Sequence, residues 1–351
     1  MKEKATPESA ALPPDLLPTP LALALAAYEG ETQPFRRVHR LVDAVEVLVK
    51  LHTVAVVSHY AGEAALSPAM KAVLAAGLKT PSLGVWWQFA RDISKELRGQ
   101  NVPSFLPGAE GYLLEGALFK ALEGPDNLIA LRNAYAHGAT PPDEVCAGHA
   151  AKHGPRLAAL AGAAAHLGRV RLLAVRPDGT ALEARGTALR PAAAPTGAAP
   201  GQCFLEHPGG GLLSLHPLLV YREEPGGAPP GLFFFYNDLR EKAATVLNYE
   251  RCRHLRERAL REDLLARFPI DEWSRLGGGE VETFRERIEA LTEVFKGRRA
   301  ELSEVLRFMG RESGFLMVWG GPGVGKSALL ARAFQVLQWP PGLREQTCPG
   351  L

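Results

Sequence analysis

The sequence predicts a multidomain α+β protein with an N-terminal all-α bundle, a small β-rich middle module and the start of an α/β domain. Three observations predict this class. Residues 35–168 carry apolar side chains at helical spacing, residues 169–250 alternate short apolar runs with Gly- and Pro-rich loops, and an apolar run at 315–319 leads into a glycine-rich loop and a helix. The length of 351 residues suits two or three such domains.

The helical elements follow from apolar periodicity and from capping residues. Residues 1–34 are rich in Ala and Pro and predict a flexible lead-in. Ser67 before Pro68 is typical of a helix start, and Gly77 and Gly99 are expected to end helices. The five or six helices of the bundle are predicted at residues 38–60, 69–76, 82–97, 110–122, 125–137 and 142–167.

The middle region changes to strand patterns. A Pro-Asp-Gly-Thr turn from Pro177 to Thr180 predicts a hairpin. The strands of this 169–250 module are predicted at 170–175, 181–185, 212–215, 218–222 and 232–236. No chemistry is assigned to the module. Residues 251–280 predict a charged helical linker, and 281–351 hold the N-terminal portion of the last domain, beginning with a helix to residue 308.

Charge and cysteine usage limit the partners and the compartment. Forty Lys and Arg against 38 Asp and Glu leave a net charge of +2, so no global field attracts nucleic acid or anionic lipid. Four scattered cysteines without metal-ligand spacing indicate thiols in a reducing compartment. Acidic and proline residues before the apolar stretch 21–27 argue against a signal peptide, and no segment is apolar enough to span a bilayer. We therefore expect a cytoplasmic protein without a membrane partner.

The strongest motif is a phosphate-binding loop. It matches G-x-x-x-x-G-K-[ST] through Gly320, Gly321, Pro322, Gly323, Val324, Gly325, Lys326 and Ser327. Glycines let successive backbone N–H groups face one anion, the lysine reaches the β- and γ-phosphates, and the Ser327 hydroxyl can hold Mg²⁺. A buried strand at 315–319 and a helix at 328–337 are expected to flank the loop. The alternative is a glycine-rich turn that binds nothing.

The residues upstream add a family resemblance. Phe295-Lys-Gly-Arg-Arg-Ala-Glu-Leu302, followed by a helix and the loop, resembles the opening of STAND and Orc-like AAA ATPases. The resemblance covers about 295–337 and implies ATP as the nucleotide, with Gly297 and Arg298 near the base. Only 24 residues follow Ser327, too few for a second acidic strand. We therefore expect a truncated ATPase domain that binds ATP and Mg²⁺ without efficient hydrolysis.

A second motif, Leu131-Arg-Asn-Ala-Tyr-Ala-His-Gly138, lies in the helical region. His137 can act as general acid or base on a ribose hydroxyl, Arg132 can neutralise phosphorane charge, and Asn133 can position either group. The pattern resembles the R-x(4–6)-H motif of HEPN domains, which implies a metal-independent ribonuclease acting on RNA as a homodimer. On one straight helix Arg132 and His137 point about 140° apart. The alternative is a helix-terminal His137 with Arg132 on a solvated face.

Together these motifs predict an ATP-dependent signalling switch of STAND or AAA type. Its HEPN-like bundle would be a dimerisation module, or an effector that cleaves RNA in defence or in the manner of a toxin. The alternatives are a non-catalytic interaction protein and a fragment without a working nucleotide site. Three other features are interpreted structurally and given no function. The arginines of 251–261 are expected to form a solvated helix face, Trp86 and Trp87 to belong to the core, and His149 and His153 to lie on the surface.

Overall fold

The computed structural model describes residues 13–63, 66–124, 126–136, 141–223, 231–276, 298–309, 316–319 and 325–337. It is a mixed α+β structure that divides into two compact units, Met1–Trp273 and Ser274–Leu351. The mixed class agrees with the sequence prediction. The division differs from it, because the helices and the β-rich region belong to one unit rather than to separate domains.

The helices of the first unit include one long central helix, α2, against which others pack. Two short 3-10 segments, Pro14–Leu16 and Ala165–Arg169, accompany them. The α-helices are α1 Thr19–Gly30, α2 Pro34–Glu63, α3 Pro68–Lys79, α4 Leu83–Gly99, α5 Ala109–Leu114, α6 Ala117–Glu123, α7 Leu128–Ala136, α8 Asp143–Ala163, α9 Arg258–Arg267 and α10 Ile270–Leu276. Helix α10 crosses the unit boundary.

Helix α2 is the centre of this unit. Leu41, Leu48 and Val57 are fully buried, and α1, α4 and α8 all contact the helix. A helix that is apolar on most sides must be enclosed by other elements. The predicted helix over 38–60 is therefore confirmed and extends by a turn at its N-terminus.

The expectation of a flexible lead-in is wrong for the described residues 13–34. Helix α1 forms there, and Leu21, Leu25 and Tyr28 are buried. Alanine and leucine are strong helix formers, and proline is tolerated in the first turn, where its missing N–H has no helical partner. The Pro content that suggested flexibility instead marks the start of a packed helix.

Two glycines act differently from the sequence prediction. Ser67 caps α3 as expected, its hydroxyl accepting a hydrogen bond from the Met70 N–H, but the helix continues past Gly77. A Cβ on Gly77 would lie 2.4 Å from Cζ of Phe89, so this glycine permits close packing of α3 on α4. Conversely, the predicted single helix 110–122 is interrupted at Gly116, where a Cβ would lie 2.8 Å from the Gly111 carbonyl oxygen.

The strands form two antiparallel sheets. They are β1 Arg171–Val175, β2 Ala181–Arg185, β3 Ala188–Ala192, β4 Cys203–Glu206, β5 Leu212–Ser214, β6 Leu219–Glu223, β7 Gly231–Leu239, β8 Ala244–Asn248 and β9 Arg253–Glu257. One sheet has the order β3-β2-β1-β4-β5 and the other β6-β7-β8-β9. The five predicted strands are confirmed, and β3, β4, β8 and β9 are additional. The prediction of helix from 251 is wrong for 253–257, because β9 pairs with β8.

The sheets and helices share one hydrophobic core. The ring of Tyr236 on β7 packs edge-on against Trp86 of α4 with centroids 6.3 Å apart, and its hydroxyl donates to the carbonyl of Leu78. Trp87 is also buried, which confirms both tryptophans as core residues. This shared core explains why the middle region does not separate as a module.

The second unit contains helix α11, Arg299–Met309, and helix α12, Lys326–Leu337. Leu302 and Leu306 pack with Leu329 and Val336 in a small core. The predicted buried strand is wrong for 316–319: this segment has no strand structure, and Trp319 is 91% exposed. A strand needs a neighbour to satisfy its backbone, and the described residues of this unit supply only helices. No helix in the described ranges is long and apolar enough to cross a membrane.

Candidate functional site

The described end of the phosphate-loop motif is the start of α12. Gly325 has φ +81°, a left-handed conformation that glycine adopts without strain, and its carbonyl accepts the first helical hydrogen bond from the Leu329 N–H at 2.9 Å. Lys326 is the first helical residue and Ser327 is exposed in the first turn. The N–H groups of this turn have no intrahelical acceptor, which favours an anion. The other predicted loop residues, 320–324, lie outside the described residues.

The predicted base-side residues are only partly described. Arg298 is exposed with φ +54°, and its carbonyl accepts from the Leu302 N–H at 3.0 Å, so the residue starts α11. Gly297 lies outside the described residues. The contact of these residues with adenine stays a prediction.

Arg132 of the second motif lies in an ion pair. Its Nε donates to Oε1 of Glu46 on α2 at 2.8 Å, and the two side chains are 27% and 13% exposed. Its Nη1 donates to the Asn133 side chain at 3.3 Å. The alternative that places Arg132 on a solvated face is wrong in part, because the pairing with α2 withdraws one edge of its guanidinium from solvent.

Glu46 connects three elements through its two carboxylate oxygens. While Oε1 accepts from Arg132, Oε2 accepts from the hydroxyl of Tyr249, just after β8, at 2.6 Å. Burial and the neighbouring Glu46 raise the pKa of Tyr249 well above its ordinary value, so the phenol stays a neutral donor. Arg40 of α2 also donates to the Tyr249 carbonyl at 3.0 Å. These contacts hold α7 and the β8–β9 turn against α2.

A buried lysine extends this network by one helical turn. Nζ of Lys50 donates to the Tyr236 carbonyl at 3.3 Å and lies 5.4 Å and 5.1 Å from the ring centroids of Trp86 and Tyr249. Burial lowers the pKa of Lys50 to about 8, while the negative charge of Glu46 opposes this shift. Tyr249 and Lys50 could not be identified from the sequence, because their partners are distant in it.

The remaining predicted residues of the second motif are only partly described. Asn133 is exposed next to Arg132, and His137 lies outside the described residues. The nearby Tyr135 hydroxyl lies 2.8 Å from Nδ1 of His149 and 3.4 Å from Sγ of Cys146. Tyr135 is thus tied into the α7–α8 interface.

The assignment of both α8 histidines to the surface is wrong. His149 is half-buried and bonded to Tyr135, and His153 is 4% exposed with Nδ1 3.3 Å from Nη1 of Arg156. Burial and the adjacent cations lower the pKa of His153. Spacing along α8 could not show this, because the enclosing residues come from other parts of the unit.

A second histidine pair lies in the core. Nδ1 of His52 is 2.7 Å from the Leu48 carbonyl, so it must donate, and Nε2 of neutral His52 must then accept from Nε2 of His166 at 2.6 Å. Burial lowers the pKa of His52 to about 4 and that of His166 to about 2. The apolar periodicity that places His52 on the inner side of α2 was the available sequence signal.

The described residues contain no group of three or more His, Cys, Asp or Glu side chains that could hold a metal ion. No family model matches the sequence, and no curated protein or solved structure matches it either.

Proposed function

We propose that the chain binds a nucleoside triphosphate, with ATP as the expected nucleotide, through the loop 320–327. The observation that carries the proposal is the conformation of Gly325 at the start of α12, with Lys326 and Ser327 in the first turn. A glycine in this conformation followed by a helix N-terminus suits backbone contacts to phosphate. Lys326 would bind the outer phosphates, and Ser327 would hold Mg²⁺, which supplies charge neutralisation when it is bound.

The test is binding of a fluorescent ATP analogue to the full chain. Lys326→Ala is expected to weaken binding with or without Mg²⁺, whereas Ser327→Ala should weaken it only when Mg²⁺ is present. Arg307→Gln is the matched control, because it removes one positive charge from an exposed position on α11. Equal affinities of Lys326→Ala and Arg307→Gln would contradict the proposal.

For the first unit, we propose a non-catalytic role as the interaction or dimerisation module of an ATP-dependent switch. The support is the contact of Arg132 with Glu46, which gives the arginine a structural task. Ribonuclease activity through Arg132, Asn133 and His137 is the competing proposal. For that activity Arg132 must contact a phosphate, either with the edge of its guanidinium that Glu46 leaves free or after the ion pair has broken.

Labelled tRNA incubated with the full chain distinguishes the two proposals. If the first unit is a non-catalytic interaction module, His137→Ala and Asn133→Ala should cleave tRNA no less than the unmodified chain does, since neither residue acts on RNA. The ribonuclease predicts cleavage by the unmodified chain that His137→Ala abolishes. Asn133→Ala is informative because Asn133 is exposed and its removal should leave the fold intact.

A further inference from the structure

We propose that a groove between the α1–α2 corner and α8 binds a small organic anion with an apolar body. The groove has a volume of about 530 Å³. This lies within the range of roughly 300–1,000 Å³ that is typical of small-molecule sites. The residues that carry the argument are Tyr28, Arg37, Ala147, Ala151, Gly154 and Ala158. The groove belongs to the first unit, so the proposal goes beyond nucleotide binding.

The anion specificity follows from Arg37. Its guanidinium carbon lies 5.1 Å from the centroid of the Tyr28 ring, and its Nε is buried with no hydrogen-bond partner among the described residues. None of the residues that line the groove is acidic. A buried donor on a charged group without an acceptor is rare in proteins, and an external anion would satisfy it.

The apolar wall is built by a close approach of α1 to α8. A Cβ on Gly154 would lie 2.1 Å from Oη of Tyr28, so only glycine allows the phenol to reach α8, where it donates to the Ala150 carbonyl at 3.4 Å. The tyrosine is thereby fixed as the support on which Arg37 stacks. Ala147, Ala151 and Ala158 leave the space beside it open to an apolar group.

These features together select the ligand class. A carboxylate, sulfonate or phosphate can accept from the guanidinium, whose planar donors suit oxyanions. The alanine-lined wall contributes apolar contact and no hydrogen-bonding side chain. A small molecule with one anionic end and one flat or branched apolar end therefore fits, whereas a polyanion would find only one cation.

The experiment compares two fluorescent probes on the full chain. Anilinonaphthalene sulfonate carries the anion, and phenylnaphthylamine has the same apolar body without it. Arg37→Gln is expected to weaken binding of the sulfonate by at least about tenfold, the effect of one charge-assisted hydrogen bond. It should change the affinity for the neutral probe less than about twofold, since the apolar contacts are retained. The matched control, Arg36→Gln, removes an exposed charge one residue earlier and should change neither affinity.

A second variant tests the place of binding. Ala151 is exposed on α8, so Ala151→Phe should fold while it fills the groove and weakens both probes. The proposal is overturned if Arg37→Gln and Arg36→Gln affect the sulfonate equally, or if Ala151→Phe leaves both affinities unchanged. Because Lys326 lies in the other unit, failure of this test is separate from failure of nucleotide binding.

Discussion

Replacing Arg132 by alanine should destabilise the first unit, because the side chain holds α7 on α2. The ion pair with Glu46 is short, 2.8 Å, and its two side chains are 27% and 13% exposed. Exposed pairs contribute up to about 1 kcal/mol, and removing one partner of a fully buried pair costs about 3–5 kcal/mol. The partial burial lies between these limits, so we expect a loss of about 2 kcal/mol in the free energy of unfolding.

Urea unfolding followed by far-ultraviolet circular dichroism measures this loss. A double-mutant cycle with Glu46→Gln isolates the pair, and a coupling energy of about 1 kcal/mol is expected. Arg98→Ala is the matched control, because Arg98, like Arg132, forms ion pairs with glutamates. Its partners are Glu110 and Glu115, and its side chain is 52% exposed. This control should lose less than about 0.5 kcal/mol.

Two results would refute the structural role of Arg132. One is a loss of stability in Arg132→Ala no larger than that in Arg98→Ala. The other is additivity of Arg132→Ala and Glu46→Gln within about 0.3–0.5 kcal/mol, as found for independent sites. Either outcome would leave the arginine free to serve a ligand, and the ribonuclease proposal would regain its support.

Two further predictions concern the core of the first unit. Burial lowers the pKa of His52 from 6.5 to about 4. Between these values the unfolded chain holds a proton on His52 that the folded chain lacks, so this histidine alone should contribute a fall of about 3 kcal/mol in stability from pH 6.5 to pH 4. Burial also lowers the pKa of His166, to about 2, so His166→Phe removes a second group that loses stability on acidification, and the melting temperature of this variant should fall less between pH 6.5 and pH 4. Gly154→Ala should lower the free energy of unfolding by about 1–3 kcal/mol, because the added methyl group displaces Tyr28. Gly148→Ala, which has open space around its Cβ position, should raise it by up to about 1 kcal/mol. Urea unfolding measures both changes.

The helices could be predicted where the determining forces are local. The Ser67 and Ser82 side chains each accept a backbone N–H of the first turn, as their positions indicate. The hairpin after β1 likewise follows from its turn, where Gly179 has φ +82°. These features depend on residues within one turn of each other, and the sequence displays them directly.

Elements that depend on distant partners could not be predicted in this way. The sequence of β9 suggests part of a charged helix, because β9 is an edge strand whose arginines face solvent. Its pairing with β8 is what makes the segment a strand. The segment 316–319 shows the opposite error, since its apolar side chains suggest a buried strand but the described part of its unit provides no strand to pair with it. In both cases tertiary context decides.

The same limit applies to the site, and it decides how the second motif is interpreted. A motif records spacing along one helix. Glu46, which accepts from Arg132, and Tyr249, which donates to Glu46, lie 86 residues before and 117 residues after Arg132 in the sequence. A catalytic arginine must present its guanidinium to a phosphate, and here one edge is already bonded to a carboxylate that is itself held by a phenol. Arg37, which no motif marks, has a buried Nε that lacks an acceptor among the described residues. The Nε of Arg185 lacks one too, but Arg185 donates through Nη2 to the Gly168 carbonyl at 3.0 Å, and of these two arginines Arg37 is the one that lines the α8 groove. An anion in the α8 groove would satisfy the Nε of Arg37, whereas Arg132 already has the Glu46 carboxylate as its partner.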